Sequence, residues 1–212
     1  GRVKHFPNGI DTKGFTANPR PDALRGVIKH EGEKWVGTLA GLRPVKNLSA
    51  LVQAMARLPE EWQLVIVGEG PEGEAIRDAA EAADIAHRLH MPGFVANPKN
   101  YIGLFDIFAL SSRSEQFPLS VVEAMAAGLP VVAPAVGDIA SMVADENQPF
   151  IAASSTPAAL GEALQALAAD EALRETVGQA NRAKARAQFD EAKMIASYRR
   201  LYDSALGGGV LA

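Results

Sequence analysis

The chain has 212 residues, 48% hydrophobic and 22% charged, a composition typical of a soluble folded protein with a sizeable core. Its 21 Lys and Arg against 25 Asp and Glu give a net charge of −4, which argues against a nucleic-acid partner. The absence of cysteine excludes disulfides, thiolate zinc sites and cysteine nucleophiles, and no run approaches the ~20 apolar residues of a membrane span. Because the sequence begins at Gly1 without Met or a signal region, we expect a domain of a longer protein.

Short apolar runs alternate with helical patterns over the first two thirds of the chain. The predicted strands are residues 34–40, 63–67, 88–91, 106–110 and 130–133. The predicted helices between them are residues 47–58, 71–83, 97–104 and 118–127. This alternation predicts a parallel sheet covered on both faces, with ligands bound beyond the carboxyl ends of its strands.

From residue 156 onward the pattern is helical. Leu160, Leu164 and Leu167 fall at helical spacing. Three helices are predicted here, at residues 157–169, 171–188 and 191–205. We therefore expect one α/β domain over residues 1–212: a doubly wound, Rossmann-like parallel sheet with extra C-terminal helices that form a cap at about 156–206.

Three glycines follow the strand 63–67 and open the next helix. Gly68, Gly70 and Gly73 have the spacing of the dinucleotide fingerprint, in which glycines let the backbone approach a phosphate at a helix amino end. Pro71 is expected at the first helical position, where its missing N–H costs nothing. The fingerprint also needs an acidic residue about 20 positions further on, where this chain has Met91-Pro92-Gly93. A dinucleotide (NAD or FAD) site is therefore an alternative, and a tight turn near another ligand is the leading interpretation.

Two cations follow the first predicted strand. Arg43 and Lys46 precede Asn47, which we expect to cap the next helix. Cations beside a helix amino end form an anion site, although a solvated loop with two charges explains them equally well.

Two carboxylates frame the predicted helix 118–127. Glu115 lies in the loop before it, and Glu123 lies inside it among apolar neighbours. A buried carboxylate is costly unless polar partners satisfy it. Such a pair can hold sugar hydroxyls while the helix N–H groups hold a phosphate; a structural glutamate satisfied by backbone N–H groups is the alternative.

These motifs occur together in the order of one known family. They are Asn8-Gly9-Ile10-Asp11, Lys46-Asn47, Val67-Gly68-Glu69-Gly70-Pro71, Asp106-Ile107, Glu115 and, after seven intervening residues, Glu123-Ala124-Met125-Ala126, and Gly128-Leu129-Pro130-Val131-Val132-Ala133. Over residues 7–202 the chain resembles the C-terminal, donor-binding lobe of retaining glycosyltransferases of family 4 (glycosyl transferases group 1), the two-lobed GT-B type.

The resemblance implies a nucleotide-diphosphate sugar as donor, a UDP-, GDP- or ADP-sugar, without an obligatory metal or other cofactor. It implies that Lys46 neutralises the diphosphate, that Glu115 acts at the donor sugar as the catalytic carboxylate, and that Glu123 accepts hydrogen bonds from the ribose. It further implies that Gly68 and Gly70 line the nucleotide cleft and that the main chain at Val95 contacts the base. The phosphate-binding N–H groups that it implies are those around Phe117, Leu119 and Ser120.

The resemblance also implies an acceptor (glycan, lipid or small molecule) that binds through an N-terminal lobe absent from this chain. We expect a cytoplasmic protein, and membrane-peripheral attachment through the missing lobe is left open. The charge and composition given above indicate neither a nucleic-acid partner nor a membrane span in this chain.

The chain departs from the family pattern at two positions. Gly41 stands where the family usually has an Arg, five residues before Lys46, and Pro118 stands where Gly is more common. Pro118 suits a first helical position. We expect Arg43 to supply the missing charge; a degenerate lobe, or a nucleotide-sugar isomerase lobe of the same architecture, is the alternative.

Overall fold

The computed structural model describes residues 9–16 and 18–205, with side chains as far as residue 200. Six strands in this part of the chain form one parallel sheet. The strands are β1 (Lys34–Leu39), β2 (Trp62–Val67), β3 (Leu89–Gly93), β4 (Ile107–Ala109), β5 (Val131–Pro134) and β6 (Ile151–Ala152). Their order, β3-β2-β1-β4-β5-β6, is that of a doubly wound Rossmann-like sheet, so the predicted fold class is confirmed.

Helices cover both faces of this sheet. They are α1 (Leu48–Met55), α2 (Gly73–Ala82), α3 (Leu119–Ala126), α4 (Ile139–Met142), α5 (Pro157–Ala168), α6 (Glu171–Gln188) and α7 (Glu191–Ala205). The three C-terminal helices were predicted nearly to the residue. The last residue of the predicted cap, 206, and Asn8 of the family motif lie outside the described residues.

The core is divided by the sheet into two layers. Trp35 and Val65 face a layer that contains α3 and the turns before β4. Val36 and Leu64, their neighbours along the strands, face a layer that contains α1 and α5. Consecutive strand residues point to opposite faces, so each of these strands is buried on both sides, as the continuous apolar runs predict.

The segment between β5 and α5 was not predicted. It holds α4, a 3-10 turn (Asp145–Phe150) and the two-residue strand β6. The buried amide of Asn147 accepts from the Val131 N–H and donates to the Val131 carbonyl, both at 2.8 Å. It also accepts from Asn181 Nδ2 of α6 at 2.8 Å. A side-chain amide thus pairs with β5 where β6 is too short to reach.

Several predicted boundaries were wrong. Helix α2 begins at Gly73, so Pro71 lies in the preceding turn. The predicted helix 97–104 is two 3-10 turns separated by Tyr101. Pro118 is the N-cap of α3 and not its first residue. No helix in the described part of the chain is long and apolar enough to cross a membrane.

Helix α1 ends earlier than the pattern indicates, and a buried arginine lies at its end. Arg88 is 4% exposed and donates from Nη1 to the Leu58 and Pro59 carbonyls, each at 3.0 Å. Its Nη2 also donates to the carbonyl of Met55, the last residue of α1, at 3.5 Å. The last carbonyls of a helix have no partner within it, so this cation contacts both the end of α1 and the turn that follows it.

Candidate functional site

A cavity of about 580 Å³ opens at the carboxyl ends of β1, β2 and β3, beside the amino end of α3. Its wall consists of Leu39, Ala40, Gly41, Val67, Gly68, Glu69, Phe94, Val95, Ala96, Asn97, Pro98, Tyr101, Ser120 and Glu123. The strand order reverses between β1 and β4, so the cavity lies next to the topological switch point where doubly wound sheets bind ligands. Four predicted site residues line it: Gly68, Val95, Ser120 and Glu123.

Two of the three motif glycines are required by chain packing. Gly68 has φ +151°, and a Cβ there would collide with the Ala40 carbonyl. Gly70 has φ +156°, and a Cβ there would lie 2.6 Å from the Leu42 carbonyl. At Gly73 the nearest atom to an added Cβ is 3.5 Å away, an ordinary contact. The first two glycines therefore hold the loops after β1 and β2 together, whereas the third has room for a side chain, unlike the packing glycine of the dinucleotide fingerprint.

Lys46 and Glu115 come together from loops 69 residues apart. The Lys46 Nζ donates to Glu115 Oε1 at 2.5 Å, and the buried Ser112 hydroxyl donates to the same oxygen at 2.6 Å. Only 25% of the Lys46 side chain and 11% of the Glu115 side chain are exposed. The cation predicted for the diphosphate and the carboxylate predicted for the sugar are thus each other's partners without a ligand.

Backbone contacts fix the two loops that carry this pair. Ser111 Oγ donates to the Lys46 carbonyl at 2.8 Å, and the Arg113 N–H donates to the Val45 carbonyl at 2.9 Å. On the other side, Gly137 has φ +55° and packs so closely on the Glu115 carbonyl that a Cβ would collide with it. These residues lie in the loops after the strands, where the sequence predicts ligand binding, but the sequence analysis did not single out Ser111, Ser112 or Gly137. Two consecutive serines directly after a predicted buried strand were the available signal.

Asn47 is at the N-cap position, but its side chain does not cap α1. Its φ is +52°, its Nδ2 donates to the Ser155 carbonyl at 3.0 Å, and its Oδ1 accepts from Arg113 at 3.1 Å. The predicted capping bond is therefore wrong, because the left-handed backbone turns the side chain toward the β6–α5 loop. This leaves the first N–H groups of α1 without a side-chain cap.

Arg43 lies over Gly41. A Cβ built on Gly41 would be 3.8 Å from Arg43 Nε and 3.8 Å from the Glu69 carbonyl, and Gly41 forms part of the cavity wall. The Arg43 side chain is exposed and makes no hydrogen bond or ion pair with the described residues. A guanidinium without a partner in the described residues therefore lies beside Gly41, the position where the resemblance implies an arginine.

Glu123 is half-buried in the cavity wall without a polar partner. Its carboxylate makes no hydrogen bond or ion pair with the described residues, so the alternative of a glutamate satisfied by backbone N–H groups does not hold. Burial raises the pKa of Glu123, and the charge of Lys99 partly offsets this effect. Lys99 itself donates to Asp11 and to the Lys13 carbonyl, each at 2.8 Å.

Tyr101 forms the floor of the cavity beside Glu123. Burial, followed by the Glu123 charge, raises the pKa of Tyr101 to about 12. Its hydroxyl therefore stays protonated and donates to the Val95 carbonyl at 2.9 Å. The Val95 N–H makes no hydrogen bond within the described residues and remains available for the predicted main-chain contact.

The amino end of α3 presents free N–H groups to the site. Leu119 and Ser120 are its first residues, and the first N–H groups of a helix have no partner within it. The Phe117 ring packs edge-to-face on Phe189 with centroids 5.6 Å apart, so this residue offers the site only its backbone. Six predicted site residues, Arg43, Lys46, Gly70, Glu115, Phe117 and Leu119, lie outside the cavity wall. Among the described residues, no group of three or more His, Asp or Glu is placed to hold a metal ion.

Comparison with known proteins identifies the family. The family model for glycosyl transferases group 1 matches residues 21–184. A D-inositol 3-phosphate glycosyltransferase of Segniliparus rotundus is 33% identical over 226 aligned positions, covering 100% of this chain and 49% of that protein. The chain spans about half the length of the curated relatives that it matches.

Solved structures give the same result for the fold. Sucrose-phosphate synthase from Thermosynechococcus elongatus superposes with a TM-score of 0.82 at 26% identity, over 99% of this chain and 54% of that one. HepE of Anabaena, solved in complex with UDP-glucose, superposes with a TM-score of 0.81 at 23% identity, over 92% and 56% of the two chains. Since the family model covers more than half of the sequence and the sheet has the matching architecture, the chain belongs to the glycosyl transferases group 1, with the Rossmann-like fold of the GT-B type.

Proposed function

We propose that this chain is the donor-binding lobe of a retaining glycosyltransferase that moves a sugar from a nucleotide diphosphate to an acceptor held by a second, N-terminal lobe. The observation that carries the proposal is the half-buried Glu123 carboxylate, which has no hydrogen-bond or ion-pair partner in the described residues and lines a cavity next to the switch point of the sheet. Burying a carboxylate without a partner costs folding free energy, and a ligand that donates hydrogen bonds to it would explain why it is there. The two ribose hydroxyls are such donors.

The remaining charges suit the rest of a nucleotide sugar. Arg43 and Lys46 lie in the loop after β1, and the free N–H groups of Leu119 and Ser120 lie at the amino end of α3. In this proposal these cations and N–H groups bind the diphosphate. Glu115, which pairs with Lys46, accepts hydrogen bonds from the sugar in this proposal. HepE, which has the same fold, binds UDP-glucose according to its structure, and this supports a nucleotide-sugar donor here.

The chemistry follows from where charge develops. The bond between the anomeric carbon and the diphosphate oxygen breaks, and its electron pair stays on the diphosphate. The acceptor oxygen bonds to the same face of the sugar, and its proton passes to the departing diphosphate oxygen. Fixed cations and aligned N–H groups stabilise the departing charge more than they stabilise the bound donor, which lowers the barrier. The Glu115 carboxylate next to the sugar stabilises the positive charge that develops on the anomeric carbon. We propose that no metal is obligatory, because Lys46 and Arg43 supply the positive charge.

The dinucleotide alternative predicts a different ligand. It places a pyrophosphate at Gly68 to Gly73, after β2, one strand away from the switch point between β1 and β4. The room for a side chain at Gly73 disfavours it. NAD therefore belongs in the same binding experiment as a competing ligand.

The test is thermal unfolding of the 212-residue chain with UDP, GDP, ADP, their sugar derivatives and NAD. At 100 times its dissociation constant, a ligand of the native state adds about 2.7 kcal/mol to the free energy of unfolding. We expect this gain with a nucleoside diphosphate, its loss in Lys46→Ala relative to that variant's own ligand-free baseline, and its retention in Lys193→Ala, a matched change at an exposed lysine of α7. Stabilisation by NAD alone, or an equal gain in Lys46→Ala, would contradict the proposal.

A further inference from the structure

Ser112 is the one buried hydroxyl in the described chain that touches the predicted catalytic carboxylate. It lies three residues after the end of β4, is 0% exposed, and donates from Oγ to Glu115 Oε1 at 2.6 Å. A buried hydroxyl that donates to a charged acceptor makes one of the stronger side-chain hydrogen bonds.

Ser112 and Lys46 share a single oxygen of Glu115. Both donors contact Oε1, whereas Oε2 receives no hydrogen bond from the described residues. The two donors therefore fix the rotation of the carboxylate and leave one oxygen for a ligand. The Glu115 side chain is only 11% exposed, so the carboxylate has little room to find another orientation.

A bound nucleotide sugar has different effects on the two side chains that donate hydrogen bonds to Glu115. Lys46 is a flexible cation, and a diphosphate, with more negative charge than one carboxylate, attracts it away from Glu115. Ser112 is buried, short and neutral, so a diphosphate does not displace it. Once the diphosphate is bound, Ser112 becomes the remaining protein donor to Oε1.

We infer that Ser112 is a positioning residue that holds Glu115 in its sugar-binding orientation when Lys46 has moved from Glu115 to the diphosphate. The inference rests on the proposed function. It predicts a specific pattern: loss of the Ser112 hydroxyl affects the sugar part of the donor and spares both the nucleotide part and the ligand-free protein, in which Lys46 still holds Glu115.

The experiment is calorimetric titration of the 212-residue chain and its variants with UDP and with UDP-glucose, and with the GDP or ADP pairs if the unaltered chain prefers them. In Ser112→Ala we expect the Kd for UDP-glucose to rise about three- to tenfold and the Kd for UDP to change less than about twofold. Ser112→Thr keeps the hydroxyl and should restore the binding of UDP-glucose. Ser114→Ala, an exposed serine in the same loop, is the matched control and should change neither Kd.

A second variant separates hydrogen bonding from packing. Ser112→Cys nearly preserves the side-chain size but has a weak donor, so it should show the same selective loss as Ser112→Ala. Equal weakening of UDP and UDP-glucose in Ser112→Ala, no weakening in either variant, or failure of Ser112→Thr to restore binding would overturn the inference. Failure of the unaltered chain to bind any of the nucleotides or nucleotide sugars would instead overturn the proposed function.

Discussion

The two carboxylates of the site have opposite surroundings, although Glu115 lies in the loop before α3 and Glu123 lies inside the same helix. Glu115 accepts from Lys46 and Ser112, so its charge is compensated before any ligand arrives. Glu123 has no such donor in the described chain, and burial raises its pKa. One carboxylate therefore contributes to the stability of the ligand-free protein and the other reduces it, which separates a pre-organised group from one that depends on its ligand.

Removal of the cation that pairs with Glu115 should have the largest effect on the stability of the ligand-free protein. Lys46→Ala leaves the Glu115 charge with Ser112 alone, and we expect the free energy of unfolding to fall by about 1–2 kcal/mol. This is less than for a fully buried pair, because 25% of the Lys46 side chain is exposed. Denaturant unfolding measures it. The double variant Lys46→Ala/Glu115→Gln should recover part of the loss, and strict additivity of the two single changes would show that the pair contributes nothing.

Neutralising Glu123, the carboxylate without a partner in the described chain, should change the free energy of unfolding by less and in the opposite direction. Because the folded state holds the Glu123 proton more tightly than the unfolded state, stability falls as the pH rises from the ordinary Glu pKa of about 4.3 through the raised value. Glu123→Gln should remove this decline and stabilise the ligand-free chain at neutral pH. Thermal unfolding across this pH range measures it, with Glu162→Gln, an exposed glutamate of α5, as the control.

The same Glu123→Gln variant should weaken nucleotide binding by about tenfold, since a neutral amide replaces a charged acceptor. Stabilisation without ligand combined with weaker binding is the signature of a group kept for its ligand. A Glu123→Gln chain that is less stable at neutral pH would instead assign the carboxylate a structural role.

The smallest change in ligand-free stability is expected at Arg43, whose side chain is exposed and unpaired in the described chain. Arg43→Ala should change the free energy of unfolding by less than about 0.5 kcal/mol. Its diphosphate affinity should fall about ten- to hundredfold if Arg43 supplies the missing phosphate contact. Calorimetry with UDP measures this difference, and an unchanged Kd would assign the diphosphate to Lys46 and the helix amino end alone.

Gly41→Arg in the Arg43→Ala background completes this test. The nearest atoms to a Cβ at position 41 are 3.8 Å away, so the loop accepts a side chain there. We expect the variant to recover much of the affinity lost in Arg43→Ala. A Gly41→Arg single variant that binds UDP where the unaltered chain does not would identify the natural lobe as degenerate.

The predictable part of the fold was the part with strong periodicity. Strands β1 and β2 are short and mostly apolar, and α5 to α7 are rich in helix-forming residues, so local pattern and final structure agree. The segment with α4 and β6 was missed because its structure depends on Asn147, whose amide bonds to Val131, 16 residues away. A contact of this kind leaves no local periodicity.

The candidate site divides in the same way. The sequence indicated Lys46, Glu115 and Glu123 as functional residues, because charged groups stood out at predicted loop and helix positions. It did not indicate that Lys46 and Glu115 bind each other, since that contact depends on the neighbouring positions of β1 and β4 in the sheet. The predicted cap at Asn47 failed because propensity alone does not foresee a left-handed backbone.

The edges of the sheet have a consequence for aggregation. On one side β6 is only two residues long, and the Asn147 amide occupies the Val131 backbone groups that β6 leaves uncovered. On the other side β3 contains Pro92, which has no N–H to offer another strand. Exposed strand edges are templates on which partly unfolded chains associate. Both edges of this sheet are poor templates, so the chain is protected against edge-to-edge assembly at high concentration.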